Sequence, residues 1–287
     1  MNNTATDYIL IADSGSTKTH WIAATKDGII NEFTTSGLNP VTMDSNRISE
    51  RILTEVVPKM TFQKPKAIRF YGAGCTSELC PTMEAIISNA TECRDVKVAS
   101  DMTGAAIALF DDTPGIACIL GTGSNCCLFD GQIIIDNVSP LGYILGDEGS
   151  GAVIGRKLLG DILKHQTSEY LRNAFFSEYP IDRSEILRRV YREPEANRYL
   201  ASFIPFVARH IHLDEVKTLI KTSFTEFFRR NILHFDTHSL PLGFVGSIAT
   251  IFSDQLREVA AEHDCRIGRI LQSPTENIAI YHTNIFF

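Results

Sequence analysis

The sequence has no long hydrophobic run and no recognisable leader. No apolar run approaches the ~20 residues that a membrane-spanning helix needs. The first residues, MNNTATD, contain neither the basic nor the apolar region of a signal peptide. We therefore expect a soluble cytoplasmic protein that does not contact membranes.

Positive charge is in deficit. The chain has 27 Lys and Arg against 34 Asp and Glu, which gives a net charge of −7. It therefore lacks the broad positive field of a nucleic-acid binder, and no nucleic-acid partner is expected. A phosphate-bearing ligand would have to be held locally, by backbone amides, a metal ion or one or two cations.

The cysteines lack metal-binding or disulfide spacing. There are seven, an odd number, and none forms a C-x2-C pair. This pattern argues against a disulfide framework and against a four-cysteine zinc site. The adjacent Cys126–Cys127 allows a redox role, but small apolar filling of a strand is the interpretation we favour.

The chain is long enough for two domains, with 287 residues of which 44% are hydrophobic. Three short strands open it, and helices then alternate with two more strands as far as Phe110. The order restarts at Gly115–Leu120. We predict two α/β domains, residues 1–112 and 113–287, with a helical insertion in the second. The final helix is free to pack back on the first domain.

Two glycine-containing turns follow buried strands. The first is Asp13-Ser14-Gly15-Ser16-Thr17-Lys18-Thr19 and the second is Gly121-Thr122-Gly123-Ser124-Asn125. Glycine lets backbone N–H groups approach an anion closely. Asp13 is a candidate ligand, through water, for Mg²⁺, and Thr17 and Lys18 are candidate phosphate contacts. Taken alone, each segment also fits an ordinary hairpin turn.

Further candidates lie at junctions between strands and helices. Asp101 follows a strand, where open α/β sheets place their ligands, and a carboxylate there can accept a proton. Asp147 and Glu148 precede an apolar helix, and Gly246-Ser247 joins a strand to a helix. The plainer interpretation makes Asp101 and Asp147 helix N-caps.

The ordered set of motifs resembles the sugar kinase/actin/Hsp70 superfamily, and within it the N-acetylglucosamine kinase branch grouped with the BadF/BadG/BcrA/BcrD ATPases. The resemblance covers nearly the whole chain. It rests on ILIADSGSTKT, TSGLNP, YGAGCT, ASDMTGAA, ILGTGSN, LGYILGDEGSG, FVGSIA and QSPTENIAIYH, in that order.

The resemblance implies two RNase-H-like (actin-like ATPase) domains with a ligand cleft between them. It implies that Asp101 is the catalytic base. The implied ATP- and phosphate-binding residues are Asp13, Gly15, Ser16, Thr17, Lys18, Gly121, Thr122, Gly123, Ser124, Gly246 and Ser247. The implied substrate-binding residues are Asn39, Asp101, Gly142, Asp147 and Glu148.

We accordingly expect an enzyme that uses ATP and Mg²⁺ to phosphorylate an amino sugar, with N-acetylglucosamine as the leading candidate. A homodimer is a further expectation. Pro140-Leu141-Gly142 stands where the animal enzymes carry a Gly-Trp-Gly that contacts the sugar, so the identity of the sugar and of the phosphorylated hydroxyl stays open.

Two alternatives remain. One is the activator ATPase of a 2-hydroxyacyl-CoA dehydratase or benzoyl-CoA reductase, which needs thiolates for an iron–sulfur cluster. The other is a non-catalytic sugar sensor of the same fold.

Overall fold

The computed structural model describes residues 7–15, 17–60 and 64–287. This part of the chain forms two compact units. The first unit consists of Met1–Thr113, Gly131–Ile133 and Ser273–Phe287, and the second of Pro114–Asp130 and Ile134–Gln272. The last stretch, which a single division after residue 112 assigns to the second domain, thus belongs to the first unit. Among the described residues, no helix combines the length and the apolar character needed to cross a bilayer.

The first unit is built on a mixed sheet with the strand order β3-β2-β1-β4-β5. Its strands are β1 (Ile9–Ser14), β2 (Lys18–Thr25), β3 (Gly28–Ser36), β4 (Ala67–Gly72) and β5 (Val96–Ser100). Its first helices are α1 (Ser45–Arg51), α2 (Cys80–Thr91) and α3 (Asp101–Phe110). Strand β1 pairs antiparallel with β2 and parallel with β4, which pairs parallel with β5. The carboxyl ends of β1, β4 and β5 therefore share one edge.

The second unit repeats this arrangement, with the strand order β10-β9-β6-β7-β8. Its strands are β6 (Gly115–Leu120), β7 (Ser124–Phe129), β8 (Ile134–Val138), β9 (Leu242–Val245) and β10 (Ile267–Leu271). Strands β6, β9 and β10 are parallel, as β1, β4 and β5 are in the first unit. The duplicated arrangement predicted from the sequence is confirmed.

Helices fill the long connection between β8 and β9 and flank β10. They are α4 (Gly142–Leu145), α5 (Gly151–Leu163), α6 (Glu169–Glu178), α7 (Arg183–Tyr191), α8 (Ala196–Ala201), α9 (Ile204–Arg209), α10 (Asp214–Phe227), α11 (Ser247–Ile251), α12 (Ser253–Glu262) and α13 (Thr275–Phe286). The sequence pattern predicts one helix over 247–261, but the structure breaks it at Phe252. Ile48, Ile52, Val56 and Val57 have helical spacing, which predicts one helix there. In the structure α1 ends at Arg51 and continues as a π-helical and then a 3-10 turn.

The predicted N-caps are wrong at both acidic positions. Helix α3 is capped by Ser100, whose Oγ accepts the Thr103 N–H at 3.2 Å, and α5 is capped by Ser150, whose Oγ accepts the Val153 N–H at 3.2 Å. In each case a serine in an extended conformation comes directly before the helix. Neither Asp101 nor Asp147 therefore serves as a helix N-cap.

Each unit has its own apolar core. In the first, Trp21 stacks on Phe33 with ring centroids 6.0 Å apart, and its Nε1 donates to Thr35 Oγ1 at 2.9 Å. In the second, phenylalanines of the inserted helices form the centre, among them Phe175, Phe203 and Phe206.

The last helix packs within the first unit. Buried His282 of α13 forms a hydrogen bond of 2.7 Å between its Nε2 and the Tyr71 hydroxyl. Tyr281 donates its hydroxyl to Asp112 Oδ1 at 2.8 Å. Gly104 permits this packing, because a Cβ at that position would lie 2.8 Å from the Tyr71 ring.

Candidate functional site

Two carboxylates lie at the carboxyl edge of the first sheet. In the register of the sheet, Asp13 of β1 pairs with Tyr71 of β4, and Tyr71 pairs with Ala99 of β5. Asp101 follows Ala99 by two residues. The pKa of Asp13 is raised to about 7, chiefly by burial and in part by the nearby charge of Asp101, with Lys18 opposing both. The sheet register therefore brings together two acids that the sequence indicates separately.

Asp101 is placed to act as a base. Its Oδ1 accepts the Met102 N–H at 2.9 Å, and Ser100 performs the capping instead. Burial raises the pKa of Asp101, and the Met102 N–H works against that rise. A half-buried carboxylate with a raised pKa at a ligand-binding edge has the affinity for protons that general base catalysis uses.

The first glycine-containing turn exposes Thr17 and Lys18, whereas Ser14 and Thr19 are buried. Gly15 donates its N–H to the Lys18 carbonyl at 3.0 Å, which closes the turn, and Thr17 and Lys18 are exposed. The hydroxyls of Ser14 and Thr19 point inward and lie 2.7 Å apart. Ser16, also predicted to bind phosphate, lies outside the described residues.

Asn39 is buried in a turn after β3. Its Oδ1 accepts the Val41 N–H at 2.9 Å, so its amide nitrogen is the group left to face a ligand. Gly74 passes directly over it with φ +79°, and a Cβ there would lie 2.3 Å from Asn39 Oδ1. Sequence reasoning assigned no role to Gly74, although a glycine two residues beyond β4 is the signal for such a close approach.

The second glycine-containing turn is fastened to the start of α5. Gly121 accepts the Gly151 N–H at 2.8 Å, and Thr122 accepts the Ala152 N–H at 3.1 Å, each through its carbonyl. Gly121 also donates its N–H to the Gly123 carbonyl at 3.0 Å. These bonds hold the turn at a fixed position against the helix.

Gly246 is required where β9 ends. Its φ is +123°, and a Cβ there would lie only 2.2 Å from the Leu120 carbonyl oxygen at the end of β6. Its N–H donates to the Leu271 carbonyl at 2.8 Å. Ser247 then begins α11 beside the second glycine turn.

A cavity of about 260 Å³ joins these segments within the second unit. It confirms the proximity, though not the role, of Gly121, Thr122 and Ser247. The opposite wall of the cavity, formed by residues from the segment 201–205, was not predicted from the sequence. Pro205, which interrupts the helical pattern there, was the available signal. The lining residues are Gly121, Thr122, Gly151, Ala201, Ser202, Ile204, Pro205, Ser247, Ile248 and Ile251.

The predicted sugar contacts of the second unit have different surroundings. A Cβ on Gly123 would lie 3.1 Å from Asp147 Oδ2, so this carboxylate packs against the second glycine turn. Burial raises the pKa of Asp147, and the Ser124 N–H counteracts that rise. Glu148 points elsewhere, accepting from Asn231 Nδ2 at 3.3 Å and facing Arg230 at 3.5 Å. Gly142 is exposed at the start of α4 with φ +72°.

The adjacent cysteines, Cys126 and Cys127, are fully buried. Cys126 belongs to the core of the second unit, and its Sγ lies 3.5 Å from Cys118 Sγ on the neighbouring strand. Burial raises the pKa of Cys127, which disfavours the reactive thiolate. Burial of both side chains, with Cys126 in the apolar core, agrees with the filling role and not with a reactive pair.

Two α/β units with this strand order define the two-domain actin-like ATPase fold. The crystal structure named "Putative N-acetylglucosamine Kinase" from Porphyromonas gingivalis is 47% identical, with 96% of this chain and 99% of that chain covered and a TM-score of 0.93. The chain belongs to the family of that N-acetylglucosamine kinase-like protein.

More distant structures share the fold. A second protein of the same name, from Chromobacterium violaceum, is 17% identical over 96% of this chain and 99% of that chain, with a TM-score of 0.77. A ROK family glucokinase from Streptomyces griseus, solved with glucose and AMPPNP, is 13% identical over 95% and 97%, with a TM-score of 0.58. No protein-family model matches the chain, and no curated protein does.

Proposed function

We propose that the protein is an ATP-dependent sugar kinase whose substrate is an amino sugar, with N-acetylglucosamine first among the candidates. The observation that carries this proposal is the pair Asp13 and Asp101 at one sheet edge, in a chain 47% identical to an N-acetylglucosamine kinase-like protein. The distant glucokinase with glucose and AMPPNP supports the use of a sugar and a nucleotide on this fold.

Asp101 is the proposed catalytic base. Its carboxylate accepts the proton of the sugar hydroxyl as that oxygen attacks the terminal phosphorus of ATP, and the bond from phosphorus to the ADP oxygen breaks. The raised pKa of Asp101 suits this step, because the carboxylate holds a proton more readily than an exposed aspartate does. General bases of this kind contribute about 100-fold or more to a rate.

The nucleotide is assigned to the glycine turns and the cavity of the second unit. Gly121, Thr122 and Ser247 line one cavity, which we assign to the base and the adjoining part of the nucleotide. The phosphates are assigned to the turns themselves, because glycine lets a backbone approach an anion closely. Lys18 and Thr17 are exposed on the first turn and supply a cation and a hydroxyl. Phosphoryl transfer depends chiefly on such positioning and charge stabilisation.

The acidic pair also fits a magnesium ion. Mg²⁺ prefers oxygen ligands and is commonly held by one or two carboxylates together with substrate phosphates and water. Asp13 and Asp101 offer such oxygens, and the raised pKa of Asp13 indicates unfavourable negative charge that a cation would relieve. When bound, the ion would neutralise charge on the phosphates, with Asp13 as its proposed ligand through water.

Each unit has its own candidate sugar contacts. In the first unit Asn39 offers its amide nitrogen, and in the second unit the candidates are Gly142, Asp147 and Glu148. Because Glu148 already contacts Asn231 and Arg230, we assign it a weaker part in binding than Asp147. A cytoplasmic location and a homodimer remain predictions.

Release of ADP, measured across a sugar panel, tests the proposal. The panel contains N-acetylglucosamine, glucosamine, N-acetylmannosamine, N-acetylmuramic acid and glucose, and the phosphorylated product is identified by mass spectrometry. We expect sugar-dependent release that is greatest for an amino sugar and is lost in Asp101→Asn. Nucleotide binding without turnover on any sugar would contradict a kinase and favour the sensor. Absorbance near 400 nm in protein purified without oxygen would favour the activator ATPase.

A further inference from the structure

Half of the residues that line the second-unit cavity are aliphatic, and none is charged. Five of its lining residues are aliphatic, namely Ala201, Ile204, Pro205, Ile248 and Ile251. Three others carry hydroxyls, and the remaining two are Gly121 and Gly151. Aliphatic walls of this sort hold a flat aromatic ring by its faces and do not read its edges.

Several backbone groups of the second glycine turn, beside the cavity, are already bonded within the protein. The N–H and carbonyl of Gly121, the carbonyl of Thr122 and the N–H of Gly151 all take part in the bonds that fasten the second glycine turn. Ser202 donates its hydroxyl to the Tyr199 carbonyl at 2.7 Å. The polar side-chain groups that remain for a ligand are the hydroxyls of Thr122 and Ser247.

A hydroxyl adapts to either partner, because it rotates and can donate or accept. Adenine presents a donor at its 6-amino group and an acceptor at N1, whereas hypoxanthine and guanine present the reverse pattern. A site built on an amide would favour one of these patterns strongly. Hydroxyls can satisfy both.

We propose that the cavity accepts the purine base without reading its edge, so that ATP, ITP and GTP all serve as phosphoryl donors. This inference rests on the proposed function, and it makes the cavity walls the determinants of donor specificity. Discrimination by an apolar pocket amounts to about 10- to 200-fold, whereas a hydrogen-bonded site reaches about 10⁴-fold or more. We expect kcat/KM for ITP and GTP to lie within about 30-fold of that for ATP.

The donor panel is assayed with one sugar at saturation, and formation of the sugar phosphate is measured directly. Values within the expected range support the inference. A loss above about 1,000-fold for both ITP and GTP, with normal turnover of ATP, overturns it and leaves the kinase assignment intact. Failure of every donor instead contradicts the proposed function.

A second measurement locates the base. Ile251 lies on α11 at the cavity wall and is 48% exposed, so Ile251→Trp can project a bulky ring into the space without burying it in the core. We expect KM to rise by at least about tenfold for ATP and GTP alike, with the KM for sugar unchanged. Arg257→Trp, at an exposed position of α12 outside the cavity, is the matched control. An unchanged KM for both nucleotides in Ile251→Trp would overturn the assignment of the base to this cavity.

Discussion

The two units share a strand order but differ in the residues at the carboxyl ends of their parallel strands. In the first, the edge beyond β1 and β5 carries the carboxylates of Asp13 and Asp101. In the second, Gly121 and Gly246 come directly after β6 and β9. One unit thus presents acids and the other presents glycine backbone beside an aliphatic cavity. The comparison shows that one strand order, used twice, carries different chemical groups at corresponding strand ends.

The two sheet edges also differ in the amino-acid substitutions that they can accommodate. Asp13 and Asp101 have isosteric replacements in asparagine, whereas Gly246 leaves no room for a Cβ. Substitutions in the first unit should therefore alter chemistry in a folded protein. Substitutions at the glycines of the second should alter structure as well.

The largest effect is expected for Asp101→Asn. The amide keeps the shape of the carboxylate but cannot accept the proton, so kcat should fall by about 100-fold or more while nucleotide binding persists. Steady-state kinetics and circular dichroism measure both consequences. Asp27→Asn, at the exposed turn between β2 and β3, is the control and should match the wild type. Wild-type turnover in folded Asp101→Asn would remove the chemical role from the first unit.

Gly246→Ala tests the second unit. The new Cβ would meet the Leu120 carbonyl in a backbone conformation unfavourable to alanine, so we expect a loss of about 2 kcal/mol in the free energy of unfolding. The KM for ATP should rise too. Gly160→Ala is the matched control, because nothing lies within 4 Å of its Cβ position in α5, and it should be neutral or stabilising. Equal stability of the two variants in urea would contradict the steric argument.

Lowering the pH should destabilise the first unit, because a buried histidine of its last helix, α13, resists protonation. The pKa of His282 is lowered from 6.5 to about 4, chiefly by burial and in part by the charge of Arg69. Between those values the unfolded chain binds a proton that the folded chain does not, so stability falls as the pH falls. We expect His282 to account for a loss of about 1.5 kcal/mol between pH 6.5 and pH 5.

Urea unfolding of His282→Gln measures this contribution as a shallower dependence on pH. His238→Gln, at an exposed position of the second unit, should keep the wild-type slope. The same slope in all three proteins would show that the Tyr71–His282 contact does not keep the histidine neutral.

The smallest effect is expected for Lys18→Ala. Lys18 is exposed on the first glycine turn, and loss of a charged contact to a phosphate should raise the KM for ATP by about tenfold. The KM for sugar should change less. A larger change for sugar than for ATP would show that this turn serves the other substrate.

Much of the architecture could be predicted because it depends on local patterns. The apolar runs that became β1 and β6, and the glycine turns after them, show both the duplicated order and the candidate loops. The segments in which a helix is interrupted or changes type were harder to predict. Nothing in the spacing from Ile48 to Val57 distinguishes an α-helix from one that loosens into a π-helical turn, because packing against neighbours decides that difference.

The candidate site was predictable as a set of residue types but not as a set of contacts. Asp147 and Glu148 are adjacent in the sequence, yet one packs against Gly123 and the other contacts Asn231, 83 positions away from it. The cavity wall at Ile204 and Pro205 likewise depends on how the inserted helices fold over β6. Such distant neighbours leave no local pattern.

The sequence by itself determined the order of strands along the chain, the places where glycine frees the backbone, and the acids that end the strands, since each depends on residues close along the chain. Only the tertiary structure decided that Asp13 and Asp101 share one edge, that serines rather than aspartates cap α3 and α5, and that the last helix belongs to the first unit. These outcomes depend on sheet register, on competition between neighbouring caps and on packing of distant apolar surfaces. Their energies arise from contacts between residues far apart in the chain.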